Sequence, residues 1–116
     1  MTFDEVRKIA LNWPGVTEGT SYGTPALKVG GKMLTRLRED GDTLVVKGVE
    51  PEEREVLMAA EPDVFHVTQH YLGWKAVLVR LSKARPEAVE ALLMRYYREI
   101  APPKYVTALD DGRRVG

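Results

Sequence analysis

The stretch from Tyr22 to Lys47 (YGTPALKVGGKMLTRLREDGDTLVVK) constrains the fold most, because it divides into three β-prone runs separated by two turn signals. Gly30-Gly31-Lys32 lies between Val29 and Met33, and its glycines take positive φ without steric cost. A three-residue loop with a bulge pairs Val29 with Met33. That register places Leu27, Val29, Met33, Leu37, Leu44 and Val46 on one face and Lys28, Leu34, Arg36, Arg38, Val45 and Lys47 on the other. A two-residue Gly-Gly turn would pair Val29 with Lys32 and mix the faces, so the longer loop is expected. The acids of the stretch, Glu39, Asp40 and Asp42, gather with Gly41 at the second turn. One face of the sheet is therefore expected to be apolar and the other largely basic.

The rest of the chain reads as cover for this sheet. Thr2 and Glu5 form a capping box, and Phe3, Val6, Ile9, Ala10 and Trp13 recur at helical spacing up to Pro14-Gly15. Val16 to Ser21 is a short extended lead-in that can pair as a marginal strand. Glu50-Pro51-Glu52-Glu53 opens a helix to about Ala60, with Val56, Leu57 and Ala60 facing inward. Val64 to Thr68 and Ala76 to Leu81 are strand-like, and between them lies the ring-rich segment Gln69-His70-Tyr71-Leu72-Gly73-Trp74. Pro86 opens the last long helix, with Val89, Leu92, Leu93, Tyr96 and Ile100 as its stripe, and Pro102-Pro103 closes it. The expected architecture is a two-layer α+β domain, an antiparallel sheet of about five strands with about three helices on one face. It spans residues 1–103, and residues 104–116 form a C-terminal tail.

The 116 residues suit a single core, and 17 basic residues balance 17 acidic ones, so any attraction for a polyanion must come from local segregation. Such segregation is present. Glu50 to Asp63 holds six acids and the single base Arg54, whereas Val64 to Arg85 holds four basic residues and no acid. The absence of cysteine excludes disulfides, thiolate metal sites and thiol nucleophiles. With no apolar leader segment and no run approaching a membrane span, a cytoplasmic protein is expected.

Candidate chemistry is sparse. His66 and His70 have i, i+4 spacing, but on β-prone sequence their rings would stand roughly 13 Å apart, so no metal or other cofactor is expected. The chain has no nucleophile elbow, Walker loop or dinucleotide fingerprint, and no catalytic constellation is assigned. Lys28, Arg36, Arg38, Lys47 and Arg80 on the sheet, with Lys32 at the hairpin tip and Lys75 beside it, form a candidate phosphate-contacting surface. Tyr22, Tyr71 and Trp74 are candidate stacking or partner-contact residues next to those cations. The same pattern also fits an ordinary solvated sheet face, with Trp74 in the core.

Trp13 is followed by Pro14-Gly15-Val16-Thr17-Glu18, and then by Tyr22-Gly23-Thr24-Pro25-Ala26-Leu27-Lys28-Val29-Gly30-Gly31-Lys32. Together with Arg36-Leu37, Val67-Thr68-Gln69-His70-Tyr71, Gly73-Trp74 and the final Ala101-Pro102, these segments resemble the MmcQ/YjbR-like family over about residues 2 to 104. The resemblance implies an α+β helix-on-sheet domain likened to a double-wing DNA-binding arrangement, and it brings no catalytic residues. The leading expectation is thus a non-enzymatic DNA-binding protein using its basic sheet face. The alternative is a domain that binds a protein partner, a second copy or a small ligand, for which Leu34 and Val45 on the basic face would want a cover.

Overall fold

Two glycines with positive φ, Gly30 (57°) and Gly31 (78°), reverse the chain between β2 (Thr24–Val29) and β3 (Lys32–Leu37). The connection is the two-residue turn, and it pairs Val29 with Lys32. The expected three-residue loop is therefore replaced, yet the faces are not mixed, because a bulge follows at once. Lys28 pairs with Met33 and Leu27 with Thr35, so Leu34 is the extra residue and turns into the core with no exposed surface. Leu34 thus leaves the face on which it was expected, and Met33, opposite Lys28, is only half-buried.

The computed structural model describes residues 1–115, with side chains through Gly112; Gly116 lies outside the described residues. The sheet adds β1 (Val16–Ser21), β4 (Thr43–Lys47), β5 (Phe65–His66) and β6 (Ala76–Arg80). It is antiparallel throughout, in the order β1-β2-β3-β4-β6-β5. The marginal lead-in is a full strand, so the strands number six. Four α-helices accompany them among the described residues: α1 (Phe3–Ala10), α2 (Pro51–Ala60), α3 (Pro86–Ile100) and α4 (Pro103–Val115). None is long and apolar enough to cross a membrane.

The main core lies between one sheet face and the helices. Val6, Ala10 and Trp13 meet Leu27, Val29, Leu34, Leu44 and Val46 there, together with Val89, Leu93 and Tyr97 from α3. Tyr97, outside the expected stripe, is fully buried against Trp13, and its hydroxyl is satisfied by donating a 2.6 Å hydrogen bond to the Pro14 carbonyl. A second cluster of Val45, Tyr71, Ala76 and Leu78 lies on the other face. Burial on both faces explains the runs Leu44-Val45-Val46 and Ala76-Val77-Leu78-Val79, which show no polar alternation. The Val45 that was expected to want an outside cover has one from its own chain.

Helix α2 departs from its expected orientation. Arg54 is buried, Leu57 and Met58 are half-buried, and Val56 and Ala60 face solvent. The segment after Pro102 is helical because Pro103 occupies the first turn of a new helix, where its missing N–H costs nothing. Leu109 of α4 joins the core, Arg98 pairs with Asp110 at 2.6 Å, and the Tyr105 ring lies against Gly15. Gly15 has φ +78°, and a Cβ there would sit 2.4 Å from the Tyr105 ring. Gly15→Ala should therefore lower unfolding free energy by about 1–3 kcal/mol, through backbone strain and overpacking together. Urea denaturation measures this, and an unchanged midpoint would contradict the docking of α4 by Tyr105.

Candidate functional site

The second cluster exists because the ring-rich segment folds over the sheet, and Arg54 holds it there. Arg54 is only 5% exposed. Its guanidinium Nη1 donates to the Trp74 and Ala76 carbonyls at 3.0 Å each and more weakly to the Tyr71 carbonyl at 3.4 Å, while Nη2 donates to the Leu72 carbonyl at 3.1 Å. A buried charge without a carboxylate partner is costly unless its donors are matched, and here three carbonyl dipoles of the loop and that of Ala76 at the start of β6 converge on it. The loop, a single 3₁₀ turn at Gln69–Tyr71 followed by Leu72-Gly73-Trp74, becomes a fixed lid on β4 and β6.

Tyr71 is the inward side of that lid, 3% exposed. Its hydroxyl accepts from Arg36 Nη2 at 3.3 Å, and Arg36 Nη1 donates to Thr24 Oγ1 at 2.9 Å. Arg36 is 6% exposed, so the expectation that it stands in solvent is corrected, as is the treatment of Tyr71 as an exposed ring. Strand periodicity assigned the face of Arg36 correctly, but the cover comes from a loop far along the chain.

The outward side of the lid is a ring assembly. Tyr71 and Trp74 meet at 5.2 Å between centroids, and His70 lies 4.8 Å from Tyr71 and 5.9 Å from Trp74. Facing it, the Arg38 guanidinium sits 5.6 Å from the Tyr71 ring and that of Arg36 sits 5.2 Å from the ring of Tyr22. Tyr22 occupies the β1–β2 turn with φ 53° and is 82% exposed. Together with Glu39 these residues line an open cleft of about 310 Å³. Glu39 reaches Arg36 at 3.6 Å and Arg38 at 4.0 Å, so a carboxylate stands where an anionic ligand group would bind. A hydrogen bond from its own backbone N–H, followed by the charges of Arg36 and Arg38, holds its carboxyl below the usual range.

Of the sequence candidates, Tyr22, Arg36, Arg38, Tyr71 and Trp74 therefore converge on one cleft. Lys47 lies on the far side of Trp74, its ammonium 5.6 Å from that ring. The remainder do not join the cleft. Arg80 donates to the Pro62 and Asp63 carbonyls, Lys75 pairs with Glu50 at 3.3 Å, the Lys28 stem lies over Gly19 of β1, and Lys32 is at the distant hairpin end. Sequence reasoning missed Arg54, Glu39 and the packing role of His70. The available signal for Arg54 was its position as the lone base of an acidic helix, one turn before Leu57 and Met58.

Residues 11–99 match the family model described as YjbR. The chain belongs to the YjbR family. Uncharacterized proteins of Mycobacterium tuberculosis and Mycobacterium bovis are each 29% identical to this YjbR-family chain over 124 residues, covering 92% of it and 94% of their own length. The crystal structure of Deinococcus radiodurans protein DR2400, a DUF419 domain, superposes with a TM-score of 0.72 at 24% identity, covering 96% of this chain and 86% of that one. The likeness extends the YjbR-family fold to that structure.

Two predictions follow from the lid. Arg54→Met removes the guanidinium donor from the Leu72, Trp74 and Ala76 carbonyls and should cost on the order of 3 kcal/mol. Hydrogen exchange in residues 69–75 should accelerate more than in α3; uniform acceleration would deny the local anchoring. His66 lies near Arg80 and Arg38, and burial first, then those charges, depresses its imidazole pKa against an opposing pull from Asp40. A depressed native pKa means the unfolded chain binds the proton more readily. His66 should therefore cost stability as pH falls below the ordinary value of about 6.5, and none above it. His66→Gln should flatten the stability–pH curve below about pH 6.5, in equilibrium urea melts, and an unaltered slope would contradict this placement.

Proposed function

We propose that this is a non-enzymatic, cytoplasmic protein that binds single-stranded nucleic acid in the cleft between the β1–β2 turn and the aromatic lid. The observation that carries the reading is the interleaving of exposed ring faces and guanidiniums in one concavity: Tyr22 and Trp74 for bases, Arg38 and the outer side of Arg36 for phosphate. Base–aromatic stacking contributes about 1–3 kcal/mol per base and every base offers a π-face, so such a site favours unpaired strands over a duplex, whose bases are already stacked. The guanidiniums orient and neutralise without offering a labile proton, which suits binding rather than turnover.

A flat duplex-binding face is less well supported. Its central cation, Arg36, is mostly beneath the lid and opens by one edge only into the cleft, and the others diverge in their bonding. A winged contact through α2 would bring Glu52, Glu53 and Glu55 toward phosphates; Glu53 is itself held by Arg95 at 2.7 Å. The reading as a protein-interaction domain drew on the exposed aromatics and the C-terminal segment, and its further support from Leu34 and Val45 is gone because both are covered within the chain.

Fluorescence anisotropy with an eight-residue oligothymidylate tests the proposal. With two or three phosphates neutralised, log Kd should change with log salt by about 1.4–2.1, far less steeply than for a protein that tracks a duplex backbone. Tyr22→Asn supplies the specific control, because asparagine relieves the left-handed strain at φ 53° while removing the ring. It should leave stability equal or higher and weaken binding at least about fivefold. Tighter binding to a duplex of equal length, or no binding to the oligonucleotide at low salt, would overturn the proposal.

A further inference from the structure

A second cleft, of about 290 Å³, adjoins the first and is lined by Lys47, Gly48, Trp74, Lys75, Tyr96 and Glu99. Trp74 lines both, so its ring is the partition between them. On the second side the Lys47 ammonium lies 5.6 Å from the Trp74 centroid and 6.0 Å from that of Tyr96. The two rings therefore flank one cation, repeating the ring-and-cation pairing that Tyr22 and Tyr71 make with the arginines of the first cleft.

We propose that the two clefts are consecutive subsites for one strand, which crosses the edge of Trp74 so that successive nucleotides sit on either side of it. This inference rests on the nucleic-acid reading of the first cleft and adds that the bound strand continues past Trp74 into the second cleft. Lys47 is placed to meet the phosphate that links the two positions, because its ammonium lies beside the shared ring and its stem is anchored on β4, directly across the sheet from Ala76. Gly48, with φ +78° and Tyr96 packed over it, closes the floor of the second subsite; a Cβ there would meet that ring at 2.7 Å. Two carboxylates are present, Glu99 in the lining and Glu50 paired with Lys75 at 3.3 Å. The latter pair is largely exposed, and exposed ion pairs are weak enough for Lys75 to exchange its carboxylate for phosphate.

The experiment is a competition assay in which thymidine monophosphate and oligothymidylates of two, four and eight residues displace a fluorescein-labelled eight-residue probe from the wild-type protein and from Lys47→Gln/Lys75→Gln. Affinity should rise at least about tenfold from the mononucleotide to the four-residue strand, and the double variant should reduce that ratio to about threefold or less. Equal displacement by the mononucleotide and the longer strands would confine the ligand to the first cleft, overturning this inference while leaving the single-cleft reading in place. A length dependence unchanged in the double variant would route the strand elsewhere and also overturn it. Failure of the wild type to bind the probe at all would remove the nucleic-acid reading and this inference with it.

Discussion

The guanidinium of Arg54 is the contact on which the rest of the site depends. A single side chain, buried in a helix of otherwise acidic surface, collects three carbonyl oxygens from one short loop and a fourth from Ala76 of β6, and so fixes that loop against β4 and β6. With no carboxylate partner among the described residues, the cost of burying its charge is offset by the carbonyl dipoles that replace its hydration. The dependence is mutual. The Leu72 and Trp74 carbonyls of the loop in turn find their donor in Arg54.

Everything on the outer sheet face follows from this lid. Tyr71 reaches down to seal Val45, Ala76 and Leu78 and hands its hydroxyl to Arg36, so a strand cation becomes a buried strut with one edge toward the cleft. Trp74 and His70 remain on the outside as ring surface. Across from them, the β1–β2 turn holds Tyr22 in a backbone conformation that tyrosine disfavours, where asparagine or glycine would be the easier choice. The strained residue presents its ring to solvent and to the Arg36 guanidinium.

Local signals made the layers of the fold readable. The capping box at Thr2 and Glu5, the paired glycines at 30–31 and the prolines at 51 and 86 each act within a few residues, and each marks the element it should. The β2–β3 register was not readable, because a turn of one length plus a downstream bulge at Leu34 satisfies the same hydrophobic pattern as a longer loop. Helix α4 was hidden by Pro102-Pro103, since a double proline stops one helix and equally well starts the next. In the site, the residue types of Tyr22, Arg36, Arg38, Tyr71 and Trp74 were legible, but their convergence was not. It is produced by Arg54, whose partners lie 17 to 22 residues away and are backbone atoms, which leave no trace in side-chain periodicity.

The central claim is that ligand contact is confined to the lidded side of the sheet. Chemical-shift mapping of the ¹⁵N-labelled protein against an eight-residue oligothymidylate tests this directly. The account predicts that the perturbed amides and side-chain N–H groups cluster at Tyr22-Gly23, Arg36 to Glu39, His70 to Lys75 and Lys47-Gly48, with the indole N–H of Trp74 shifted and that of the buried Trp13 unmoved. Perturbations centred on Lys28, Lys32 and Arg80, or on α1 and the part of α3 away from Tyr96 and Glu99, would contradict it.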